Sequence, residues 1–213
     1  MKENYIKVLL LSAVFFMYIN TSIAQSSIAI DASQVISTFS FEDNTGAKDK
    51  EYNASYSGAY SLGYKYAHES GIIGLASLGM QKRGATLIYD AINYSWDLQY
   101  ANIKIGAGYA YNMGRLSPYL TVSPYLGYLL KANQRINNED IDIIDSGSIE
   151  KIDFGVGTAI GANFKISDDI STYVEYGYTM GLKNIETSEN GQKASNRASL
   201  LTLGLAFSIT SLK

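Results

Sequence analysis

A chain of 213 residues with 17 Lys and Arg against 20 Asp and Glu has a formal charge of −3, so it lacks the basic excess that nucleic-acid binding requires. The absence of cysteine excludes a disulfide framework, a cysteine-based metal site and lipidation of an N-terminal cysteine. Only 17% of residues are charged and 2 are proline, whereas 18 are tyrosine and 19 glycine, a balance that suits pleated sheet and membrane interfaces better than helices.

The chain opens on a segment that reads as a secretory signal. Lys2 and Lys7 make a basic start, Val8 to Ile19 an apolar run, and Ser22-Ile23-Ala24 a small-x-small pattern, so cleavage is expected after Ala24. A membrane anchor needs about 20 apolar residues, and Asn20 and Thr21 cut this run short. Removing 1–24 takes away Lys2, Lys7 and Glu3, so the charge becomes −3 − 1 = −4, and 25–213 is expected to form a single domain. No later stretch is apolar enough for a membrane helix, so a mature chain that enters a bilayer must do so as a closed barrel.

Strands follow in order. The first is expected at 33–42. The second, 56–66, sets Tyr56, Tyr60, Leu62, Tyr64 and Tyr66 opposite Ser57, Ala59, Ser61, Gly63 and Lys65, and the third falls at 72–81. The fourth, 94–111, changes phase: Trp96, Leu98 and Tyr100 share one parity, Ile103, Ile105, Ala107, Tyr109 and Tyr111 the other, which predicts a β-bulge near Ala101 and Asn102. The fifth, 118–130, carries Leu120, Val122, Leu126, Tyr128 and Leu130 on one face and Thr121, Ser123 and Gly127 on the other. The sixth, 152–166, alternates Ile152, Phe154, Val156, Ile160, Phe164 and Ile166 with Asp153, Gly155, Gly157, Gly161 and Lys165. The seventh, 173–182, and the eighth, 201–209, repeat the pattern with Val174, Tyr176, Tyr178 and Met180, then Leu201, Leu203, Leu205 and Phe207.

Tight links at 68–71, 112–115 and 167–169 alternate with polar segments at 43–55, 83–93, 131–149 and 183–197. The expected fold is therefore all-β, an eight-stranded antiparallel up-and-down transmembrane β-barrel with short periplasmic turns and longer extracellular loops. A soluble barrel would need Lys, Glu and Arg on its polar face, but these polar faces are Gly, Ala, Ser and Thr, which suit a crowded lumen. Tyr64, Tyr66, Tyr109, Tyr111, Tyr176 and Tyr178 on the apolar face are candidates for interfacial girdles. Lys65, Asp153, Lys165 and Glu175 fall in the lumen phase, where they must pair, so an interior ion-pair network plugging the bore is expected.

The chain resembles the PorT-like outer-membrane β-barrel domain family, often labelled porin family proteins, over about residues 33–209. The likeness rests on Asp97-Leu98-Gln99-Tyr100-Ala101-Asn102-Ile103, on Pro118-Tyr119 through Pro124-Tyr125-Leu126-Gly127-Tyr128-Leu129-Leu130, on Ile152-Asp153-Phe154-Gly155, and on Tyr176-Gly177-Tyr178-Thr179-Met180-Gly181-Leu182-Lys183-Asn184-Ile185. The sequence departs from the family pattern where Ala101-Asn102 replaces a proline and where it runs past Phe207 to Lys213. The resemblance implies fold and outer-membrane location and carries over no binding residue.

Catalytic chemistry finds little purchase. His68 is the only histidine and is placed at a turn with no evident nucleophile, so no enzyme is expected. Gly155-Val156-Gly157-Thr158-Ala159-Ile160-Gly161 echoes a dinucleotide loop, but its glycines share the lumen parity and no helix follows. Glu139, Asp140, Asp142, Asp145 and Glu150 read as a solvated acidic loop in preference to a calcium site, and no cofactor or metal is expected. The chain is thus expected to be a membrane-embedded structural or interaction module presenting its loops. A narrow channel for ions or very small solutes is the alternative. Expected partners are outer-membrane lipid, the barrel-assembly machinery, and an extracellular ligand or envelope partner at 43–55, 83–93, 131–149 or 183–197.

Overall fold

The computed structural model of the chain describes residues 25–49, 52–137, 139–187 and 192–209; the expected signal segment 1–24 and its cleavage point lie outside them. Eight long strands form the wall: β1 (Gln25–Glu42), β3 (Asn53–Ala67), β4 (Ile72–Tyr89), β5 (Ile92–Ala110), β6 (Leu116–Ile136), β8 (Ile152–Lys165), β9 (Ile170–Gly181) and β10 (Lys193–Ser208). Two short ones are appended, β2 (Lys48–Asp49) on β1 and β7 (Glu139–Asp142) on β6. The wall runs β10-β9-β8-β6-β5-β4-β3-β1, and β1 then pairs antiparallel with β10 from Ser27↔Ser208 to Glu42↔Lys193. A ring closed in this way leaves no edge in the spanning sheet, the condition that lipid imposes on backbone polar groups.

Period-two patterning decides which face is which. Along β6, Tyr119, Thr121, Ser123, Tyr125, Gly127 and Leu129 are buried, while Leu120, Val122, Leu126 and Tyr128 between them are exposed. The outward face elsewhere carries Leu62, Leu78, Ile105, Ile160, Val174 and Leu203, all exposed. That continuous apolar belt is far larger than a water-facing surface tolerates, and it fits lipid. The bore is filled by tyrosines laid across glycines of the paired strand: Tyr125 opposite Gly155, Tyr119 opposite Gly161 and Tyr173 opposite Gly204. A Cβ built on Gly161 would stand 2.6 Å from the Tyr119 ring and 2.7 Å from the Val174 carbonyl oxygen. Gly161→Val is therefore expected to lower stability by about 1–3 kcal/mol by overpacking, read as a fall in the urea midpoint of the refolded protein at unchanged m-value.

Expectations from sequence are corrected at the connections and in the phase of β5. Segment 83–93 is not a polar loop: β4 runs to Tyr89, β5 starts at Ile92, and Asp90 (φ 50°) and Ala91 (φ 60°) alone make the turn. Two consecutive positive φ values are what a two-residue hairpin twist demands, and Asp-Ala lacks the glycine that normally announces it. The irregularity expected in β5 at Ala101 and Asn102 belongs instead to β6, because Gln99↔Lys131 is followed by Tyr100↔Leu129 and Leu130 is the extra residue. Leu98, Tyr100 and Asn102 therefore all point inward and are buried, while the inward parity of β6 changes from odd up to Leu129 to even at Ala132. The other expected loops are partly strand as well, since β6 continues to Ile136, β3 starts at Asn53 and β10 at Lys193.

Candidate functional site

The interior is built in layers, described from the loop end, where β1 ends and β10 begins, to the turn end, where 68–71, 112–115 and 167–169 connect strands. At the loop end, Leu98 and Tyr100 of β5, Leu129 and Ala132 of β6, Ile185 and Ala194 form a buried apolar cluster, against which Phe39, Phe41, Ile143, Ile144 and Ile149 pack. Rings of Phe39, Tyr52 and Trp96 continue it with centroids 5.8–6.1 Å apart. This is a small hydrophobic core above the bore, and the Leu130 bulge creates it by turning Ala132 inward behind Leu129.

Directly below lies a buried polar layer contributed by β4, β5, β6, β8 and β10. Arg83 Nη1 donates to Asp153 Oδ2 at 2.7 Å and to Tyr125 Oη at 2.9 Å. Tyr125 Oη donates to the same carboxylate oxygen at 3.2 Å, and Asn196 Nδ2 at 3.0 Å. Gln81 Oε1 accepts from Arg83 Nη2 at 3.2 Å and from Asn102 Nδ2 at 3.4 Å. The Arg83 and Asp153 side chains are 2% and 0% exposed, so the pair crosses the bore out of water.

A second polar layer follows toward the turn end. Asp31 accepts from Ser61 Oγ at 2.8 Å and from Tyr173 Oη at 2.8 Å, and Glu175 accepts from Tyr119 Oη at 3.1 Å. Lys65 Nζ lies over the Tyr173 ring, 3.1 Å from its centroid. A cavity of about 70 Å³ lined by Asp31, Lys65, Lys104 and Glu175 separates the two layers, and a vestibule of about 290 Å³ opens from Lys65, Tyr119 and Glu175 to the turn end. Each layer is balanced, Arg83 against Asp153, then Lys65 and Lys104 against Asp31 and Glu175, so neither offers a field favouring one sign of ion.

Of the lumen-phase charges singled out from sequence, Lys65 and Glu175 share the lower layer and Asp153 belongs to the upper. Lys165 is at the mouth, its Nζ 2.8 Å from Asp168 at the turn. Sequence reasoning missed Arg83, Asp31 and Lys104. Arg83 was assigned to a loop, whereas Asp31 has the same odd parity as the buried Ala29 and Val35 and was legible on that ground. Tyr64, Tyr109, Tyr111, Tyr176 and Tyr178 are exposed on the outer face, and Tyr66 is half-buried. Tyr64, Tyr66, Tyr109 and Tyr111 cluster at the turn ends of β3 and β5, whereas Tyr176 and Tyr178 stand mid-strand in β9.

The remaining candidates resolve into local structure. His68 Nδ1 lies 2.8 Å from Ser70 Oγ, a pairing not evident from sequence, but it also accepts the Ser70 backbone N–H at 3.1 Å, which makes it a turn brace. The glycines of the Gly155-Val156-Gly157-Thr158-Ala159-Ile160-Gly161 run lie within strand β8. In the acidic segment, Arg135 grips Asp140 at 2.6 and 3.0 Å, Glu150 pairs with Lys183 at 2.9 Å, and Asp142 accepts the Ile144 N–H at 2.9 Å. The Arg135 hydrogen bond holds the Asp140 carboxyl below its ordinary value of 3.8. A depressed folded-state value contributes stability above the unfolded value and loses it as pH falls through the folded one. Acidification below about pH 4 is therefore expected to lower the hydrogen-exchange protection factors, corrected for the slower intrinsic exchange in acid, across the β6–β7 pairing, and Asp140→Asn to remove that loss.

Comparison with known proteins follows the same lines. The profile of the outer membrane protein beta-barrel domain matches residues 8–207. Among solved structures, Neisserial surface protein A is 13% identical with a TM-score of 0.50, over 85% of this chain and 97% of that one. OprG from Pseudomonas aeruginosa is 9% identical (TM-score 0.48; 87% and 97%), and Ail, the attachment invasion locus protein of Yersinia pestis, 15% identical (TM-score 0.47; 87% and 99%). No curated protein matches the sequence. At such identities a likeness of structure speaks to fold alone.

Proposed function

Because the chain belongs to the outer membrane protein beta-barrel domain family and so resides in the outer membrane, we propose that it is a closed, non-conducting, non-enzymatic anchor that presents its loop end outside the cell. The observation that carries this reading is the pair of barriers at the loop end, an apolar cluster resting on the buried Arg83–Asp153 pair. A bore obstructed by apolar packing and a buried ion pair offers an ion no continuous hydration. What remains for function is the structure above it: β6 alone has 21 residues, about twice the 9–11 that cross a bilayer, and its pairing with β7 offers a surface suited to contact a ligand or an envelope partner. Export by a signal cleaved after Ala24, insertion by the barrel-assembly machinery and membership of the PorT-like branch complete the proposal.

The competing reading, a narrow channel, draws on the vestibule of about 290 Å³ and the space of about 70 Å³ beyond it. Both stop short of Arg83, so conduction would require that layer to open.

Orientation is tested in whole cells. The chain has no cysteine, so single substitutions label cleanly. Asn93→Cys and Ser146→Cys are expected to react with a membrane-impermeant maleimide in intact cells and Ser70→Cys only after lysis; the reverse pattern would place the loop end in the periplasm and remove the proposed contact surface.

A further inference from the structure

Outward-facing cations gather at one rim of the apolar belt. On β4 the exposed Lys82 follows Met80 in the outward phase, and on β6 Lys131 directly follows Leu130. On β10 Arg197 lies beyond Leu201 and Ser199 in the same outward phase. On each of these strands the lipid-facing aliphatic face therefore gives way to a cation at the loop-end boundary. At the turn end, Glu69, Asp168 and Asp169 are exposed together with Arg115, and Lys165 is tied to Asp168.

The cations are only partly neutralised by the protein. Lys82 lies 3.2 Å from Asp97 with both side chains about half exposed. Among the described residues Lys131 makes no ion pair, and the buried Nε of Arg197 has no hydrogen-bond partner. The pairings Lys82↔Gln99 and Gln99↔Lys131 put both lysines on one face across two strand spacings, roughly 9.5 Å at the backbone, with an amide between them. Long stems of this kind lie along apolar surface and lift their charge to the interface, and a guanidinium matches phosphate geometry.

We infer, resting on the proposed orientation with the loop end outside the cell, that this collar, centred on Lys82, Lys131 and Arg197, binds the phosphate-bearing headgroups of outer-leaflet lipid. A headgroup is the occupant that the position selects, because the cations begin where the apolar belt ends: acyl chains lying on Met80, Leu130 and Leu201 hold a phosphate at that height. Free phosphate gains nothing from the belt. Juxtamembrane cations are known to draw anionic lipid in this way.

The test uses the folded full-length mature protein in non-ionic detergent. Native mass spectrometry counts the bisphosphorylated lipid A and the phosphatidylcholine that remain bound. Lys131→Gln combined with Arg197→Gln is expected to cut retained lipid A about tenfold while leaving phosphatidylcholine unchanged. Lys131→Arg with Arg197→Lys should retain lipid A as the parent does, and a heat-dependent gel shift confirms that all variants are folded barrels. Equal retention of lipid A by the glutamine variant, equal retention of both lipids by the parent, or complete displacement of lipid A by millimolar inorganic phosphate would each overturn the inference, the last by assigning the charges to free phosphate.

Discussion

Asp153→Ala is expected to destabilise the barrel by about 3–5 kcal/mol, the cost of leaving one member of a buried ion pair without the other. Asp153 Oδ2 receives hydrogen bonds from Arg83, Tyr125 and Asn196, which reach it from β4, β6 and β10. Its removal strands a guanidinium that is 2% exposed and loosens contact among three strands of the ring. Replacing both partners, Arg83→Met with Asp153→Leu, should recover most of the loss, because apolar side chains of similar volume need no partner. Urea unfolding of the refolded protein, followed by gel mobility with and without heating, reads both variants. If the single variant unfolded at the parental midpoint, the ion pair would have no structural role.

Tyr100→Ala carries the second large effect, also about 3–5 kcal/mol, from a cavity left in the apolar layer. Tyr100 is fully buried between Leu98, Leu129 and Ala132, and its Oη accepts from Asn196 Nδ2 at 3.3 Å, so it is the side chain that joins the apolar layer to the ion-pair layer. Tyr100→Phe keeps the ring and loses only one hydrogen bond, so a cost of about 1 kcal/mol is expected. Similar losses in the two variants would mean that the ring is not packed as described.

These same residues show how far the sequence could be read. Alternation alone placed β6, β8, β9 and β10, because each has a lipid face of Leu, Ile, Val, Tyr and Phe and a lumen face of small residues, and closure into an even-stranded barrel followed from the lack of any other way to cross lipid. It failed where the lumen itself is apolar. Leu98 and Tyr100 look lipid-facing by type, so an inward apolar patch in β5 reads as a phase slip, and the true slip at Leu130 is hidden because Leu130 and the inward Leu129 before it are both leucine. Arg83 was lost for a related reason: the polar run Gln81-Lys82-Arg83 resembles a loop, yet the alternation persists, with Gln81 and Arg83 buried and Lys82 exposed. Pairing of Arg83 with Asp153, 70 residues apart, is set by the barrel's curvature and stagger, which no local pattern encodes.

Closure of the bore is tested most directly by current recorded across planar bilayers holding the refolded mature protein, with folding established first by heat-dependent gel mobility. The layered interior predicts electrical silence in the parent and discrete openings when Arg83→Ala, Asp153→Ala and Tyr100→Ala are combined in a barrel that still folds. Reproducible unitary openings in the parent would contradict it and make the chain a channel.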